Sequence, residues 1–132
     1  MTRDYELTVQ AKDGLVWATV RGKRTMAIVL AASRDIIKAC AELKLKKALV
    51  DVRGLEGQLE PKDSFDVTSR HYPAMRNRNV ITHCAVIDRK GFEANHAFFE
   101  NVAVNRGLNL RVVTEPAAGL AWLKSVDAGT KA

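Results

Sequence analysis

The stretch LVDVRGLEGQLEPKDSFDVTSRHY, Leu49–Tyr72, combines a buried strand, a turn and the start of a helix. The strand reaches back to Lys47, and the run KALVDV is too short and too continuously apolar for a strand with one face in water. It predicts a central strand that is covered on both faces. The following helix has Pro61 in its first turn, which helices accept, and should end or kink at Pro73 and finish by about Met75. A strand that leads into a helix is the repeating unit of an α/β fold.

The same alternation continues on both sides of this stretch. Towards the N-terminus, YELTVQ and LVWATVRG are rich in strand-forming residues, and the Asp13-Gly14 pair between them is a hairpin signal. A helix with Thr25 as its N-cap then runs to about Leu43. Towards the C-terminus the pattern predicts four more elements in alternation: the strand VITHCAVID, the helix GFEANHAFFENVAVNRG that ends at Gly107, the strand NLRVVT and the helix PAAGLAWLKS. The order β-β-α-β-α-β-α-β-α predicts a mainly parallel central sheet with an N-terminal antiparallel hairpin.

Length and composition predict one domain in a reducing compartment. The chain has 132 residues, of which 47% are hydrophobic, enough for one core. We place the domain at residues 1–126 and a disordered tail at residues 127–132. Cys40 and Cys84 lie in apolar contexts without CxxC spacing, and no window approaches the roughly 18 apolar residues of a membrane span. We therefore expect a cytoplasmic protein with no transmembrane segment.

The net charge of +6 permits acidic partners, but its distribution does not favour nucleic acid. Basic residues are spread from Arg3 to Lys131, and no run of them resembles a nucleic-acid-binding arm. No specific nucleic-acid partner is expected.

The residues that could carry chemistry do not form a catalytic pattern. Cys84 lies in the apolar run HCAVI, where burial makes a thiol inert. Asp51 and Asp88 lie near the ends of neighbouring strands, where an aspartate is most often a turn or cap residue. No HxH or HExxH spacing relates the three histidines, which are His71, His83 and His96. The sequence predicts a protein that is not an enzyme and that has no metal site and no cofactor.

Four segments carry a resemblance to a known family: VRGKRT, KALVDVRGLEG, HCAVIDRKGF and RVVTEPAAGLAWLKS. They are similar to the SpoIIAA-like group of STAS-related domains, which are also described as STAS/SEC14-like, and the likeness spans about Tyr5 to Ser125. The resemblance implies a single-domain α/β sandwich. Since STAS domains act as anti-sigma-factor antagonists or as regulatory modules, it also implies a protein-binding function, and the Sec14-like similarity implies a pocket for a lipid or another apolar ligand.

The resemblance also draws attention to Ser64. In STAS antagonists the loop after the central strand carries Asp-Ser-Ser-Gly, whose first serine is phosphorylated by a partner kinase. Asp63-Ser64 stands in that place, but Phe65 and Asp66 replace the Ser-Gly that should follow. Asp66 also adds negative charge beside an incoming phosphate. Ser64 is therefore a candidate phosphorylation site, and the alternative is a serine that caps the helix or faces solvent.

Basic side chains should form a rim at the carboxyl end of the sheet, where open parallel sheets bind ligands. Arg53, Ser64 and Arg89 are expected to gather there, and this rim could bind a protein partner or an anion. Its candidate residues are Arg53, Asp63, Arg76, Arg78, Arg89 and Lys90. Arg76 and Arg78 have an alternative role, because cations complement the dipole at a helix C-terminus.

Aromatic side chains supply the second candidate site, an apolar pocket between helices two and three. Phe98 and Phe99 are adjacent, about 100° apart on a helix, so a narrow core would leave one of them exposed. The candidate pocket-lining residues are Phe65, Tyr72, Phe92 and Phe99. We therefore predict a non-enzymatic STAS-like module that binds an unidentified protein, with a homodimer left open. The alternative function is Sec14-like binding of a lipid or another apolar ligand.

Overall fold

The protein is a five-stranded α/β sheet with helices on both faces. The computed structural model describes residues 5–72, 80–105 and 107–129. The strands lie across the sheet in chain order, with β1 and β2 antiparallel and all later neighbours parallel. Their bounds are β1 Tyr5–Lys12, β2 Leu15–Lys23, β3 Lys47–Glu56, β4 His83–Ile87 and β5 Leu110–Val113. This arrangement confirms the predicted fold class, including the central position of β3.

Local signals in the sequence set two of the element boundaries. Asp13 and Gly14 both have positive φ, 56° and 75°, as a two-residue type I′ hairpin turn requires. The Oγ1 atom of Thr25 accepts a hydrogen bond from the backbone N–H of Ile28 at 3.2 Å, which caps the first helix. Both predictions are confirmed.

Four helical segments alternate with the strands as predicted. They are α1 Met26–Leu43, α2 Pro61–Asp66, α3 Glu93–Asn105 and α4 Pro116–Gly129. The chain after α2 continues as a π-helical segment, Val67–His71, that the sequence did not indicate. Within the described ranges, no helix is both long enough and apolar enough to cross a membrane.

Two predicted boundaries, at the second and the last helix, are not reproduced within the described residues. The predicted end of the second helix at Pro73 and Met75 lies outside the described residues. The last helix extends to Gly129, three residues into the segment for which a disordered tail is predicted.

Topology decides which face each helix covers. The connections β2-α1-β3, β3-α2-β4 and β4-α3-β5 all step in the same direction across the sheet. Because parallel crossovers are right-handed, helices α1, α2 and α3 lie on one face. Helix α4 follows the last strand and packs on the other face, mainly against β4 and β5.

Each face has its own buried cluster, as the alternation of side chains along a strand requires. Ala48 and Val50 pack on the face of α1, with Ile36 and Cys40 of that helix. Leu49, between them in sequence, packs on the opposite face with residues that include Leu123 of α4. The face beneath α1–α3 is not completely filled by side chains.

Candidate functional site

A cavity of about 350 Å³ lies between the sheet and helices α1, α2 and α3. Its walls are mostly apolar and come from four strands and from the helices that cover them. The apolar side chains include Val20, Val29, Ile36, Val50, Val52, Val86, Phe99, Leu110 and Val112. Because protein interiors contain few voids larger than a water molecule, a cavity of this size is the first candidate for a binding site.

Polar residues line one part of this cavity, beyond the carboxyl ends of β2, β3 and β4. Arg24 follows β2, Gln58 follows β3, and Asp88 follows β4. The first turn of α3 adds Asn95 and His96. Parallel strands in open sheets bring functional groups together at this edge, since their carboxyl ends coincide.

Arg24 and Asp88 form a buried ion pair at this end. The two terminal nitrogens of Arg24, Nη1 and Nη2, donate to the two carboxylate oxygens of Asp88 at 3.1 and 2.9 Å. The side chains retain only 10% and 5% of their exposure. The backbone N–H of Arg24 donates to Glu56 O at 2.9 Å and that of Asp88 to Val113 O at 2.9 Å, so both backbones are fixed to neighbouring strands. The pair is consequently rigid, and its charges compensate each other.

His96 completes this polar cluster. Its Nε2 atom lies 3.2 Å from Asp88 Oδ2 and donates to it, because an ionised carboxylate can only accept. Asp88 also accepts the backbone N–H of Arg89 at 2.8 Å. The turn role predicted for Asp88 is therefore only part of its function, since the same carboxylate joins β2, β4 and α3.

Tyr72 connects three elements beside the cavity. Ser33 Oγ gives its only proton to Val29 O at 2.7 Å, so Tyr72 donates its hydroxyl proton to Ser33 at 2.9 Å. The Tyr72 ring meets Phe99 edge to face, with 6.1 Å between the ring centroids. Burial, more than any neighbouring charge, raises the pKa of Tyr72 to about 12. At neutral pH Tyr72 therefore remains a hydrogen-bond donor and not a base.

The two cysteines are unreactive by the same physical cause. Burial raises the pKa of Cys84, which lines the cavity, to about 12, and that of Cys40 to about 11. Both remain thiols at neutral pH and are poor nucleophiles. Both cysteines are free, in agreement with the sequence.

The structure does not place Ser64 as the helix cap. Glu60 is the N-cap of α2, and the backbone N–H of Ser64 donates to Glu60 O at 2.9 Å, inside the first helical turn. The Ser64 side chain is half-buried and lines the cavity. The capping interpretation is therefore wrong, and phosphorylation of Ser64 stays a prediction.

The predicted aromatic pocket is only partly assembled. Tyr72 and Phe99 line the cavity, whereas Phe65 is 42% exposed and is absent from its described wall. The π-helical segment between Phe65 and Tyr72 changes the helical phase, so residues seven apart no longer share a face. Phe92 instead lies beneath the Arg89 guanidinium at 5.9 Å. Phe98 is exposed at 41%, so the interpretation that both adjacent rings fill the gap beneath this helix is wrong for Phe98.

The predicted basic rim does not form a free cluster of cations among the described residues. Arg53 binds Asp51 at 2.7 Å, and Lys90 pairs with Glu115 at 3.3 Å. Asp51 alternates with Val50 and Val52, which line the cavity, so the Arg53–Asp51 pair faces away from Ser64. Arg89 donates to Leu55 O at 3.0 Å.

The remaining rim candidates are Asp63, Arg76 and Arg78, and the predictions for the two arginines stay untested. Asp63 lies in the first turn of α2, and Arg76 and Arg78 lie outside the described residues. Within residues 5–72, 80–105 and 107–129, no three His, Cys, Asp or Glu side chains are placed to hold a metal ion.

The residues that sequence reasoning missed, Arg24 and Gln58, lie in short connections after strands. Their positions in the sequence could have indicated the site, because charged or amide residues that directly follow the apolar strands of a parallel sheet meet at one edge of the sheet. The sequence could not show that Arg24 would turn inward to Asp88, because β3 separates their strands.

Comparison with known proteins gives structural matches alone. No family model matches the chain, and no curated protein is significantly similar to it in sequence. The chain resembles the crystal structure of an anti-sigma factor antagonist from Mycobacterium paratuberculosis, with a TM-score of 0.54 and 15% identity. That match covers 91% of this chain and 94% of the other.

A second solved structure, an uncharacterised DUF3478-family protein with a SpoIIAA-like fold from Shewanella loihica, has a TM-score of 0.54 and 14% identity. It covers 93% of this chain and 98% of the other. The chain therefore has the SpoIIAA-like α/β fold, and the resemblance seen in the sequence is confirmed at the level of the fold. The same fold supports many functions, so the function must be argued from the site.

Proposed function

We propose that the protein is a non-enzymatic binding module that holds one small amphiphilic molecule in the cavity beneath α1–α3. The observation that carries this proposal is the cavity itself, with apolar walls and a polar cluster at one end. Small-molecule sites combine mostly apolar walls with a few convergent polar groups. Its volume of about 350 Å³ lies near the lower limit of such sites, about 300 to 1,000 Å³, which favours a single short chain over a two-chain lipid.

The chemistry of the lining supports binding and not catalysis. Tyr72 and Cys84 are both held in their protonated forms by burial. The carboxylate of Asp88 is occupied by Arg24, His96 and a backbone N–H. These groups can orient a ligand, and none of them is an activated nucleophile.

The test is to fill the cavity without disturbing the surface. Val86 lies on β4 and faces the cavity, so Val86→Phe should occupy part of the void. We expect this variant to bind the uncharged dye N-phenylnaphthylamine at least about 10-fold more weakly than the parent, since the added ring takes the ligand's place. Its melting temperature should be equal or higher, because filling a cavity restores packing.

The matched control is Val104→Phe, the same change at a position on α3 that is 53% exposed. This control should leave dye binding unchanged. No dye binding by the parent, or equal binding by the parent and Val86→Phe, would contradict the proposed site.

A regulatory function through a protein partner is the second candidate. It is favoured by the exposed rings of Phe65 and Phe98, at 42% and 41%, on helices α2 and α3 that contact each other. The similar structure from Mycobacterium paratuberculosis is named an anti-sigma factor antagonist, which is a protein-binding activity. Native mass spectrometry of protein purified from its host separates the two functions. If the parent retains a small molecule and Val86→Phe does not, the result supports ligand binding in the cavity. If the parent retains a second polypeptide and Phe65→Ser/Phe98→Ser does not, the result supports a protein partner that binds the two exposed phenylalanines.

A further inference from the structure

The charge of the cavity restricts what it can hold. Among its described lining residues the fixed charges are Arg24 and Asp88, and they neutralise each other through two hydrogen bonds. His96 belongs to the same cluster and lies 3.2 Å from Asp88 through Nε2. A carboxylate or phosphate placed beside this cluster would lie close to Asp88, and the described lining residues include no fixed cation other than the paired Arg24. A buried unpaired charge is strongly unfavourable.

The same end of the cavity offers hydrogen-bond donors for which the described part of the chain supplies no acceptor. Arg24 Nε and Gln58 Nε2 are both buried and have no hydrogen-bond partner within residues 5–72, 80–105 and 107–129. Buried polar groups are nearly always paired in folded proteins, so two orphan donors on residues that line one cavity point to a missing acceptor. Gln58 lies in the loop between β3 and α2 and lines the cavity.

On the basis of the proposed function, we infer that the occupant is an uncharged, single-chain amphiphile whose polar end is a hydrogen-bond acceptor such as an amide or ester carbonyl. Its carbonyl oxygen accepts from the Gln58 amide next to the Arg24–Asp88 pair. A carbonyl oxygen suits this position because it accepts up to two hydrogen bonds and brings no charge. Its chain lies against Val86 and Phe99.

The head-group chemistry is tested with ligands that share one chain. Octanamide, octanol and ionised octanoate are titrated into the full-length protein at neutral pH, by calorimetry and by displacement of N-phenylnaphthylamine. We expect octanamide to bind at least about 10-fold more tightly than octanoate, because the described lining residues include no fixed cation without a partner. Tighter binding of octanoate would overturn the inference and leave the proposed function intact. Failure of all three ligands to displace a dye that does bind would also overturn the inference, whereas failure of the dye itself to bind contradicts the proposed function.

The role of Gln58 is tested by Gln58→Met, which keeps the length of the side chain and removes the donor. Octanamide affinity should fall about 3- to 10-fold, the usual effect of one hydrogen bond, while dye affinity stays constant. The ligand-free variant should be at least as stable as the parent, since it no longer buries an unpaired amide.

The control for this variant is Gln10→Met, at an exposed position on β1, which should change neither affinity. Unchanged octanamide affinity in Gln58→Met would remove Gln58 from the binding site.

Discussion

At the scale of single residues, the Arg24–Asp88 pair is the most consequential feature. Both side chains are at least nine-tenths buried, and the pair connects strands that β3 separates. The loss of hydration on burial offsets most of the attraction within such a pair, so the pair adds little net stability. Removal of one partner should lower the stability strongly, because it leaves the other charge buried and unpaired.

We therefore expect Asp88→Ala to lower the free energy of unfolding by about 3 to 5 kcal/mol. The double variant Arg24→Met/Asp88→Leu should recover most of that loss, because it leaves no buried charge. Urea denaturation of the two variants measures both values. Asp51→Ala is the matched control, since its partner Arg53 is 43% exposed and exposed pairs contribute only about 0 to 1 kcal/mol. Equal losses in Asp88→Ala and Asp51→Ala would contradict this assignment of the pair.

At the scale of elements, the sequence predicts well the features that depend on local signals. Asp13-Gly14, Thr25 and the apolar run of β3 each specify their structure through neighbouring residues, and all three predictions are confirmed. Side-chain directions in the second helix were not predictable in this way. The π-helical turn at Val67–His71 rotates the residues after it, so Phe65 faces outward although Tyr72 faces the cavity.

The sequence predicts an apolar pocket between helices two and three, but it does not predict the extent of the cavity beneath α1–α3. It depends on the distance between the sheet and three helices, which no single segment determines. The polar cluster was missed because Arg24 and Asp88 are 64 residues apart and meet only when the strands are ordered.

The packing of α4 against the sheet gives a prediction at the element scale. A Cβ atom at Gly119 would lie 2.7 Å from Leu49 Cδ1 and 3.3 Å from the Cβ of Ala85, both on the sheet beneath the helix. Gly119→Ala should therefore lower the free energy of unfolding by about 1 to 3 kcal/mol through overpacking, less the gain of up to about 1 kcal/mol in helix propensity. Urea denaturation measures the change.

The double variant Gly119→Ala/Leu49→Val is the check, because it removes the methyl group that collides. The effect of Gly119→Ala should be smaller in the Leu49→Val background than in the parent. The same effect in both backgrounds would show that α4 does not rest on Leu49.

At the scale of the whole molecule, the two faces of the sheet are packed differently. Helix α4 packs closely on one face, with Leu49, Ile87 and Leu123 almost fully buried. The opposite face supports three helices and retains the cavity. A well-packed layer on one side can thus stabilise the sheet while the other side keeps the cavity in which we propose that a ligand binds.

The stability of the protein at alkaline pH should depend on the buried groups that the folded state keeps protonated. Burial raises the pKa of Cys40, Cys84 and Tyr72 to about 11, about 12 and about 12, from ordinary values of 9.0, 9.0 and 10.0. Above pH 9 the unfolded chain releases these protons while the folded protein keeps them, so stability falls as the pH rises towards the folded pKa values. Each group that ionises only in the unfolded chain lowers the free energy of unfolding by about 1.4 kcal/mol per pH unit.

Urea denaturation between about pH 8 and pH 11 measures how steeply the free energy of unfolding falls with pH. The double variant Cys40→Ala/Cys84→Ala should show a shallower fall, beginning near pH 9 where the fall starts in the parent. The two proteins differ only at these cysteines, so equal slopes for the parent and the double variant would mean that the two thiols are not buried as the structure places them.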